Sequence, residues 1–280
     1  MYKIVKKEKL AENLYWMDIA SPLVANKAMP GQFIILRVHE QGERIPLTIA
    51  DSDRKRGTVT IIFQTVGKTT MLLASKEQGE HIQDFVGPLG MASKLDGFNR
   101  VLCIGGGVGI APLYPQVKYL YEKGSHVDVI LGAKSKEYII LEEYMKRVSH
   151  NIYVATDDGS YGQRGFVTDV AKGLFDTGHQ YDHVIAIGPL IMMKVVSNLT
   201  KEYGIPTTVS MNPIMIDGTG MCGGCRVTVG GKVKYACVDG PDFDGHLVDF
   251  DEAMRRQAIY KEDEQRALAS INHGGECRCR

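Results

Sequence analysis

The chain has 280 residues, and its 33 basic side chains balance 33 acidic ones, so the formal net charge is zero. A chain of this length exceeds one ordinary hydrophobic core and predicts two or three domains. Because acidic and basic side chains balance, the composition does not indicate binding of nucleic acid or of an anionic membrane surface. Neither a signal peptide nor a run of about 20 apolar residues is visible, so we expect a cytoplasmic protein without membrane contact.

Short apolar segments separated by turn residues characterise the first 97 residues. The segments are KIVKKEKL, NLYWMDIA, QFIILRVH, PLTIA, TVTIIFQTV and HIQDFVG. Many short strands with closely spaced turns predict a small antiparallel β-barrel. One helix-like stretch, TTMLLASKE, begins at Thr69 and interrupts the strands.

From about residue 98 to 210, apolar strands alternate with helical segments. The strands are VLCI (101–104), VDVILGA (127–133), IYVATDD (152–158), HVIAIG (183–188) and TTVS (207–210). Helices are expected at about 112–123, 137–148, 166–175 and 190–202. This alternation predicts a doubly wound parallel sheet that is covered on both faces.

The remainder of the chain is glycine-rich and cysteine-bearing to about residue 250, and then charged and helical. We therefore expect a multi-domain β plus α/β protein with four parts. These are a β-barrel (1–97), an α/β nucleotide-binding domain (98–210), a small metal-loop domain (211–250), and a C-terminal helix and tail (251–280) that could dock a partner.

The segment VLCIGGGVGIAPL places a buried strand, a glycine-rich turn and a helix start in succession. Gly107 and Gly109 would let the backbone approach a pyrophosphate, whose charge is favoured by the helix N-terminus. Pro112 occupies the place of the third glycine in the dinucleotide fingerprint. Lys134 and Lys136 follow the second strand where an acidic ribose ligand is common, so the residues leave NADH and NADPH open.

Two barrel segments carry groups suited to phosphate binding. RIPLTIAD offers the guanidinium of Arg44 and the hydroxyl of Thr48, while TVGKTTMLL places Gly67, Thr69 and Thr70 at a helix start. On the residues alone, a turn followed by a capped helix is the favoured interpretation of the second segment.

The segment DGTGMCGGCRVTV, residues 217–229, has the character of an iron–sulfur loop. Its spacing is Asp217-x4-Cys222-x2-Cys225-x11-Cys237, with a carboxylate where a fourth cysteine is expected. Three alternatives are open: a [2Fe–2S] cluster with Asp217 as the fourth anionic ligand, a zinc ion held by three cysteines and one aspartate, and a loop without metal.

An R-x-P-x-[ST] barrel motif, a GGGVGIAP loop and a C-terminal cysteine loop together resemble the ferredoxin–NADP reductase superfamily. Within it, residues 1–250 resemble the electron-transfer subunits of dihydroorotate dehydrogenase, whose loop carries a fourth cysteine and a [2Fe–2S] cluster. An aspartate at that position narrows the resemblance to the small subunits of electron-bifurcating NADH-dependent reduced ferredoxin:NADP oxidoreductases.

The resemblance implies three sets of binding residues. For FAD they are Arg44, Pro46, Leu47, Thr48, Ile62, Phe63, Gln64, Gly67, Thr69 and Thr70. For NAD(H) they are Gly107, Val108, Gly109, Ile110, Asp157, Asp158, Gly188 and Pro189. For the [2Fe–2S] cluster they are Asp217, Cys222, Cys225 and Cys237. Leu47 stands where many members of the superfamily have a tyrosine that stacks on the flavin, so that contact is not carried over.

The implied function is exchange of hydride between NAD(H) and FAD, followed by relay of single electrons through the cluster. No catalytic acid or base is assigned, because the hydride step needs none. By resemblance the partner is a larger bifurcating subunit with FAD and two [4Fe–4S] clusters, through which ferredoxin and NADP(H) are reached.

Two alternatives to this function are kept. The chain could serve as the electron-transfer subunit of dihydroorotate dehydrogenase or of a sulfide dehydrogenase, or it could be a non-enzymatic iron–sulfur redox sensor. Cys103 is expected in the core, and Cys277 and Cys279 in a C-terminal tail.

Overall fold

The computed structural model describes residues 1–272, and it describes side chains to residue 269. The first sheet has seven strands: β1 (Tyr2–Ala11), β2 (Leu14–Ala20), β3 (Phe33–Arg37), β4 (Arg44–Asp53), β5 (Thr58–Gln64), β6 (His81–Ile82) and β7 (Asp84–Leu89). Their order is β6-β1-β2-β5-β4-β3-β7, and all the pairs are antiparallel. Because the outermost strands β6 and β7 are separated in sequence only by Gln83, the sheet curls into a nearly closed barrel. The predicted barrel is confirmed.

Alternating side chains fill the interior of the barrel. Met17 and Ile19 on β2 lie opposite Ile61 and Val59 on β5, and all four are fully buried. Met17 and Ile19 share one face of β2, as the two-residue period requires. The intervening Trp16 and Asp18 are buried as well, so β2 is covered on both faces. Two short helices accompany the barrel, α1 (Pro22–Lys27), which sequence analysis did not predict, and α2 (Lys68–Ala74), which it did.

The second sheet is mostly parallel and holds the α/β part of the chain. Its strands are β8 (Arg100–Gly106), β9 (His126–Ala133), β10 (Asn151–Thr156), β11 (Gln163–Arg164), β12 (His183–Ile187) and β13 (Thr207–Ser210). The helices are α3 (Ile110–Glu122), α4 (Glu142–Lys146), α5 (Val167–Asp176) and α6 (Leu190–Glu202). The predicted doubly wound sheet is confirmed, although α4 has five residues where a longer helix was expected.

The order of this sheet is β11-β10-β9-β8-β12-β13-β16, where β16 (Asp242–Asp244) comes from the C-terminal part of the chain. This order creates a switch point between β8 and β12. From β8 the chain builds outward through β9 and β10, and it later returns to the other side of β8 with β12. In open α/β sheets, ligands bind beyond the carboxyl ends of the strands at such a point. The glycine-rich loop that follows β8 is therefore located where a nucleotide would bind.

The C-terminal part contains a two-stranded hairpin, β14 (Arg226–Val229) and β15 (Lys232–Tyr235), followed by β16 (Asp242–Asp244), α7 (Phe250–Gln257) and α8 (Lys261–Asn272). β16 pairs antiparallel with β13 and so closes one edge of the second sheet. The small cysteine-bearing module therefore shares a sheet with the preceding domain, a connection that the sequence pattern did not predict. Within the described chain, no helix combines the length and apolar character needed to cross a membrane.

Candidate functional site

The glycine-rich loop continues directly from the end of β8. Gly107 to Gly109 form a single 3-10 turn, and α3 begins at Ile110. Gly107 has a φ of +56° with open space where a Cβ would lie, so its backbone is exposed to the cleft. Val108 is partly exposed beside it. A left-handed glycine followed by a helix start suits close approach of a pyrophosphate.

Gly109 is required for a different reason from the one predicted. A Cβ at this position would lie 2.4 Å from the carbonyl oxygen of Ile187 and 2.7 Å from the Cα of Gly188. The loop therefore packs on the end of β12 rather than leaving space for the ligand at this residue. The predicted residues Gly107–Ile110 and Gly188–Pro189 are thus brought together at the switch point.

Gly106 and Gly188 share one neighbour, the side chain of Met192. A Cβ at Gly106 would lie 2.3 Å from the Met192 sulfur, and one at Gly188 would lie 2.6 Å from its methyl carbon. Met192 thereby packs the turn at Pro189, where α6 starts, against the loop after β8. Met192 belongs to none of the sequence motifs, so its contact with these two glycines could not be predicted from them.

Asp157 and Asp158 follow β10, next to the end of β9. Their amide nitrogens donate to the carbonyl oxygens of Ala133 and Lys134 at 3.1 and 3.2 Å. The Asp158 carboxylate accepts from the amide nitrogen of Ser160 at 2.9 Å, and hydrogen bonds from Ser160 lower the pKa of Asp158. The two aspartates are therefore held at the same sheet edge as the glycine-rich loop.

The predicted flavin residues of the barrel lie on two neighbouring strands and one helix start. Arg44, Pro46, Leu47 and Thr48 are on β4, while Ile62, Phe63 and Gln64 are on β5. Phe63 is fully buried and stacks on Tyr15 at a ring-centroid distance of 5.9 Å, so it is part of the barrel core. Arg44 is exposed, and Leu47 and Thr48 are half-buried.

The two threonine hydroxyls at the start of α2 form hydrogen bonds with other groups of the chain. Thr70 Oγ1 accepts from the amide nitrogens of Gly67 (3.0 Å) and Val66 (3.1 Å), which caps the helix. Thr69 Oγ1 donates to the Glu43 carboxylate at 2.8 Å. The structure thus contains the capped helix that was the alternative for this segment. It also shows Glu43, which the motif did not reveal, beside the predicted site.

A cavity of about 1010 Å³ opens beside Arg44 and Pro46. Residues 212–216 and the C-terminal helices supply its other walls. This volume lies at the upper end of the roughly 300–1,000 Å³ typical of small-molecule sites and is large enough for a dinucleotide.

The cysteine loop brings two of its three thiols together. The Cys225 and Cys237 sulfurs are 3.2 Å apart and buried, whereas Cys222 is exposed. Backbone N–H groups are directed at the sulfurs: that of Gly224 lies 3.4 Å from Cys222 Sγ, and that of Gly220 faces Cys237. Such N–H groups stabilise the thiolates of iron–sulfur sites.

Asp217 lies at the head of the same loop and orders its backbone. Its two carboxylate oxygens accept from the amide nitrogens of Thr219 (2.9 Å) and Cys222 (2.8 Å). These donors, Thr219 first, lower the pKa of Asp217, so the carboxylate is an anion at neutral pH. Among the side chains of residues 1–269, no three His, Cys, Asp or Glu groups are close enough together to form a metal site in the present geometry.

Burial raises the pKa of Cys237 to about 12, and the neighbouring Cys225 thiol adds to this effect. The Cys237 thiol is therefore protonated in the absence of metal, and binding of a metal ion or cluster would displace its proton. Cys103 is fully buried in β8, as expected. Cys277 and Cys279 lie outside the described residues.

The cysteine loop packs against the barrel. A Cβ on Gly218 would lie 2.6 Å from the Ile35 side chain and 2.9 Å from that of Leu89, on strands β3 and β7. Ile35 pairs directly with Pro46 of the predicted flavin motif. The loop that carries Asp217 is thus separated from that motif by a single barrel strand.

A nearly closed barrel, a nucleotide-binding sheet and an adjoining cysteine loop define a ferredoxin reductase-like electron-transfer protein. Comparison with protein-family profiles agrees: the oxidoreductase NAD-binding domain matches residues 103–198, and the iron–sulfur cluster binding domain of dihydroorotate dehydrogenase B matches residues 212–249. A ferredoxin reductase of carbazole 1,9a-dioxygenase shares the fold at 18% identity and a TM-score of 0.62, covering 73% of this chain and 65% of that one.

Closer relatives cover nearly the whole chain. The electron transfer subunit homolog of dihydroorotate dehydrogenase B (NAD(+)) from Thermotoga maritima is 49% identical, over 94% of this chain and 93% of that protein. The corresponding subunit of Geobacillus thermodenitrificans is 36% identical, over 86% and 94%. A solved structure of NADH-dependent reduced ferredoxin-NADP oxidoreductase is 47% identical with a TM-score of 0.92, covering 97% of this chain and 98% of that one.

The chain belongs to the family of electron-transfer subunits of dihydroorotate dehydrogenase B. It is a subunit of an NAD(H)-dependent iron–sulfur flavoprotein oxidoreductase, with FAD, an iron–sulfur cluster and NAD(H) as cofactors. Its relatives are electron-transfer subunits, and the chain accordingly works with a partner subunit. The predicted family, fold and cofactors are confirmed.

Proposed function

We propose that this chain transfers electrons between NAD(H) and a [2Fe–2S] cluster, with FAD as the intermediate carrier. It would do so as the small subunit of an NADH-dependent reduced ferredoxin:NADP oxidoreductase. One observation carries the proposal. Gly218, next to Asp217, packs on Ile35, which pairs with Pro46 of the flavin motif. This contact supports a short path between a flavin at the barrel and a cluster in the loop.

The nucleotide end of the site fits NAD(H). The open left-handed backbone at Gly107 and the start of α3 would receive the pyrophosphate, while Gly188 and Pro189 border the nicotinamide side of the switch point. Asp157 and Asp158 follow β10 close to Lys134 and Lys136, so the charges at this edge do not separate NADH from NADPH. The NAD(+)-linked relatives support NADH as the nucleotide.

The barrel fits a flavin dinucleotide. Arg44 lines the cavity and would pair with the diphosphate, and Thr48 on the same strand offers a hydroxyl to the ring. The first turn of α2, beginning at Gly67 where a Cβ would meet nothing, would face the phosphates with backbone N–H groups. Ile62 and Gln64 would line the flavin from β5.

The cysteine loop fits a cluster with mixed ligands. Cys222, Cys225, Cys237 and Asp217 are four side chains that become anionic, and N–H groups already point at the sulfurs. Asp217 would exchange its hydrogen bonds to the loop for a metal bond. We assign Asp217 as the fourth ligand, with zinc or an empty loop as the alternatives.

When bound, FAD exchanges hydride with NAD(H) and passes electrons singly to the cluster. The chain's own residues hold these groups in place, and no acid or base is needed.

We propose that domain boundaries lie near residues 97, 210 and 250. The partner is proposed to be a larger subunit with FAD and two [4Fe–4S] clusters, which handles ferredoxin and NADP(H). The 47% identical structure of such an oxidoreductase supports this assignment.

The test is anaerobic titration of the purified chain with NADH, followed in the visible spectrum. We expect NADH to bleach the flavin absorption and NADPH to act at least about tenfold less efficiently. A non-enzymatic iron–sulfur sensor would show no bleaching by either nucleotide. Purification of the native complex distinguishes the transhydrogenase assignment from the dihydroorotate dehydrogenase and sulfide dehydrogenase alternatives through the identity of the partner.

A further inference from the structure

The cavity beside Arg44 has one wall that lies outside all of the predicted flavin motifs. Its lining comes from the barrel around residues 42–46, from residues 212–216, and from the C-terminal helices. The helical wall comprises Met254, Gln257, Ala258, Lys261 and Glu264. A site this large is thus closed on one side by a segment with no assigned role.

The first of these helices, α7, is fixed on the cysteine loop. Its N-cap residue Asp249 accepts from the amide nitrogen of Glu252 at 2.8 Å, and Phe250 is buried. The Arg256 guanidinium donates to the carbonyl oxygen of Gly224, between Cys222 and Cys225, at 3.2 Å. These contacts set the direction in which the chain leaves α7.

The second helix, α8, reaches the barrel. It begins at Lys261 and packs against α2, the helix that starts at the predicted phosphate-binding turn. The two C-terminal helices therefore extend from the cysteine loop to the flavin barrel and cross the cavity between them.

Cations from two different walls line the cavity. Arg44 from the barrel and Lys261 from α8 both line it, and neither forms an ion pair within residues 1–269. By contrast, the third cation, Arg37, is engaged by Asp84 at 2.6 Å. Two carboxylates also line the cavity: Glu43, which accepts from the Thr69 hydroxyl, and Glu264, about one helical turn from Lys261; no ion pair joins either of them to Arg44 or Lys261 within residues 1–269. Two unpaired cations from different walls suit a polyanionic ligand.

We propose that α7 and α8 form the outer wall of the flavin site and that Lys261 binds the FAD diphosphate across the cavity from Arg44. This inference rests on the proposed binding of FAD at Arg44. It also implies that the same helical segment joins flavin binding to the cysteine loop, through the hydrogen bond from Arg256 to Gly224.

The test is titration of flavin-depleted full-length protein with FAD and, separately, with riboflavin, which has no diphosphate. We expect Lys261→Gln to weaken FAD binding by roughly tenfold, the scale of one lost charge-assisted contact, and to leave riboflavin binding unchanged. The matched control is Arg266→Gln. Arg266 lies on the same helix, pairs with Glu262 and Asp263, and does not line the cavity. Iron content and circular dichroism report whether each variant is folded.

The outcomes separate this inference from the proposed function. If wild type binds FAD and Arg44→Gln weakens that binding while Lys261→Gln does not, the proposed function stands and the role of Lys261 is overturned. Equal weakening of FAD and riboflavin by Lys261→Gln also overturns it, because the contact would not be with the diphosphate. If flavin-depleted wild type takes up no FAD, both proposals fall.

Discussion

Gly218 lies directly against Ile35, the residue that pairs with Pro46 across the barrel. Its φ is +75°, and its missing side chain allows the cysteine loop to approach β3. The contact joins the loop that carries Asp217 to the strand pair that carries the flavin motif. Under the proposed placement of flavin and cluster, the distance between these two centres depends on Gly218, and this dependence can be tested.

Replacing Gly218 by alanine should push the loop off the barrel. The new Cβ would lie 2.6 Å from Ile35, and we expect a loss of about 2–4 kcal/mol in stability and slower reduction of the cluster by NADH. Gly230→Ala is the matched control, because Gly230 also has a positive φ, +57°, but a Cβ there would lie 3.8 Å from Leu247. Denaturant unfolding and stopped-flow absorbance measure both effects. Equal results for the two variants would contradict the close approach.

Substitution of Asp217 tests its role as a ligand. Asp217→Cys should keep the cluster and shift its reduction potential by tens of millivolts or more, because thiolate donates more charge than carboxylate. Asp217→Asn should lose most of the iron. The control is Asp239→Asn: Asp239 is also close to Cys237 in sequence but accepts from the amide nitrogen of Tyr235 at 2.7 Å. Redox titration and iron analysis are the measurements, and full iron content in Asp217→Asn would exclude Asp217 as the fourth ligand.

Gly109 tests the packing of the nucleotide loop. Its φ of −62° suits alanine, so Gly109→Ala acts only through the 2.4 Å approach of its Cβ to Ile187 O. We expect NADH to bind roughly tenfold more weakly, with a stability loss of about 1–3 kcal/mol. Gly173→Ala, in α5 with no atom near a Cβ, should instead stabilise the protein by about 0.5–1 kcal/mol. An unchanged NADH dissociation constant in Gly109→Ala would remove the loop from the nucleotide site.

Stability should depend on pH through His183. Burial, together with the nearby His246, lowers the pKa of His183 to about 4, while its ring accepts or donates to Thr208 at 2.8 Å. Because an unfolded histidine has a pKa of about 6.5, stability is complete above that value and is lost as the pH falls toward 4. Wild type should lose about 1–3 kcal/mol more than His183→Gln between pH 7.5 and pH 4.5 in urea unfolding. Parallel losses would show that His183 is protonated without cost.

Much of the fold could be predicted because its local signals agree. Strands such as β2 and β8 are buried as their apolar content indicates, and the glycine loop follows β8 at the expected place. The antiparallel addition of β16 to the second sheet could not be predicted, because its three residues carry no strand pattern and are positioned by pairing with β13.

Residues of the candidate site could be predicted where a sequence motif specifies them. They could not be predicted where packing against distant parts of the chain determines which residue is required. Gly107 has the open, left-handed backbone that the motif predicts, whereas Gly109 is needed for contact with β12, a neighbour 78 positions later in the chain. The cavity wall formed by α7 and α8 could not be predicted either, because no sequence pattern distinguishes Lys261 from an ordinary surface lysine. Such residues acquire their neighbours through contacts between segments far apart in the chain, and these contacts produce no recognisable pattern in the local sequence.

The central claim is that a loop with three cysteines and one aspartate holds a two-iron cluster beside a flavin. Its most direct test is elemental and acid-labile sulfide analysis of protein purified without oxygen. The account predicts about two irons and two sulfides per chain, with no zinc. Stoichiometric zinc, or a colourless protein without iron, would contradict it.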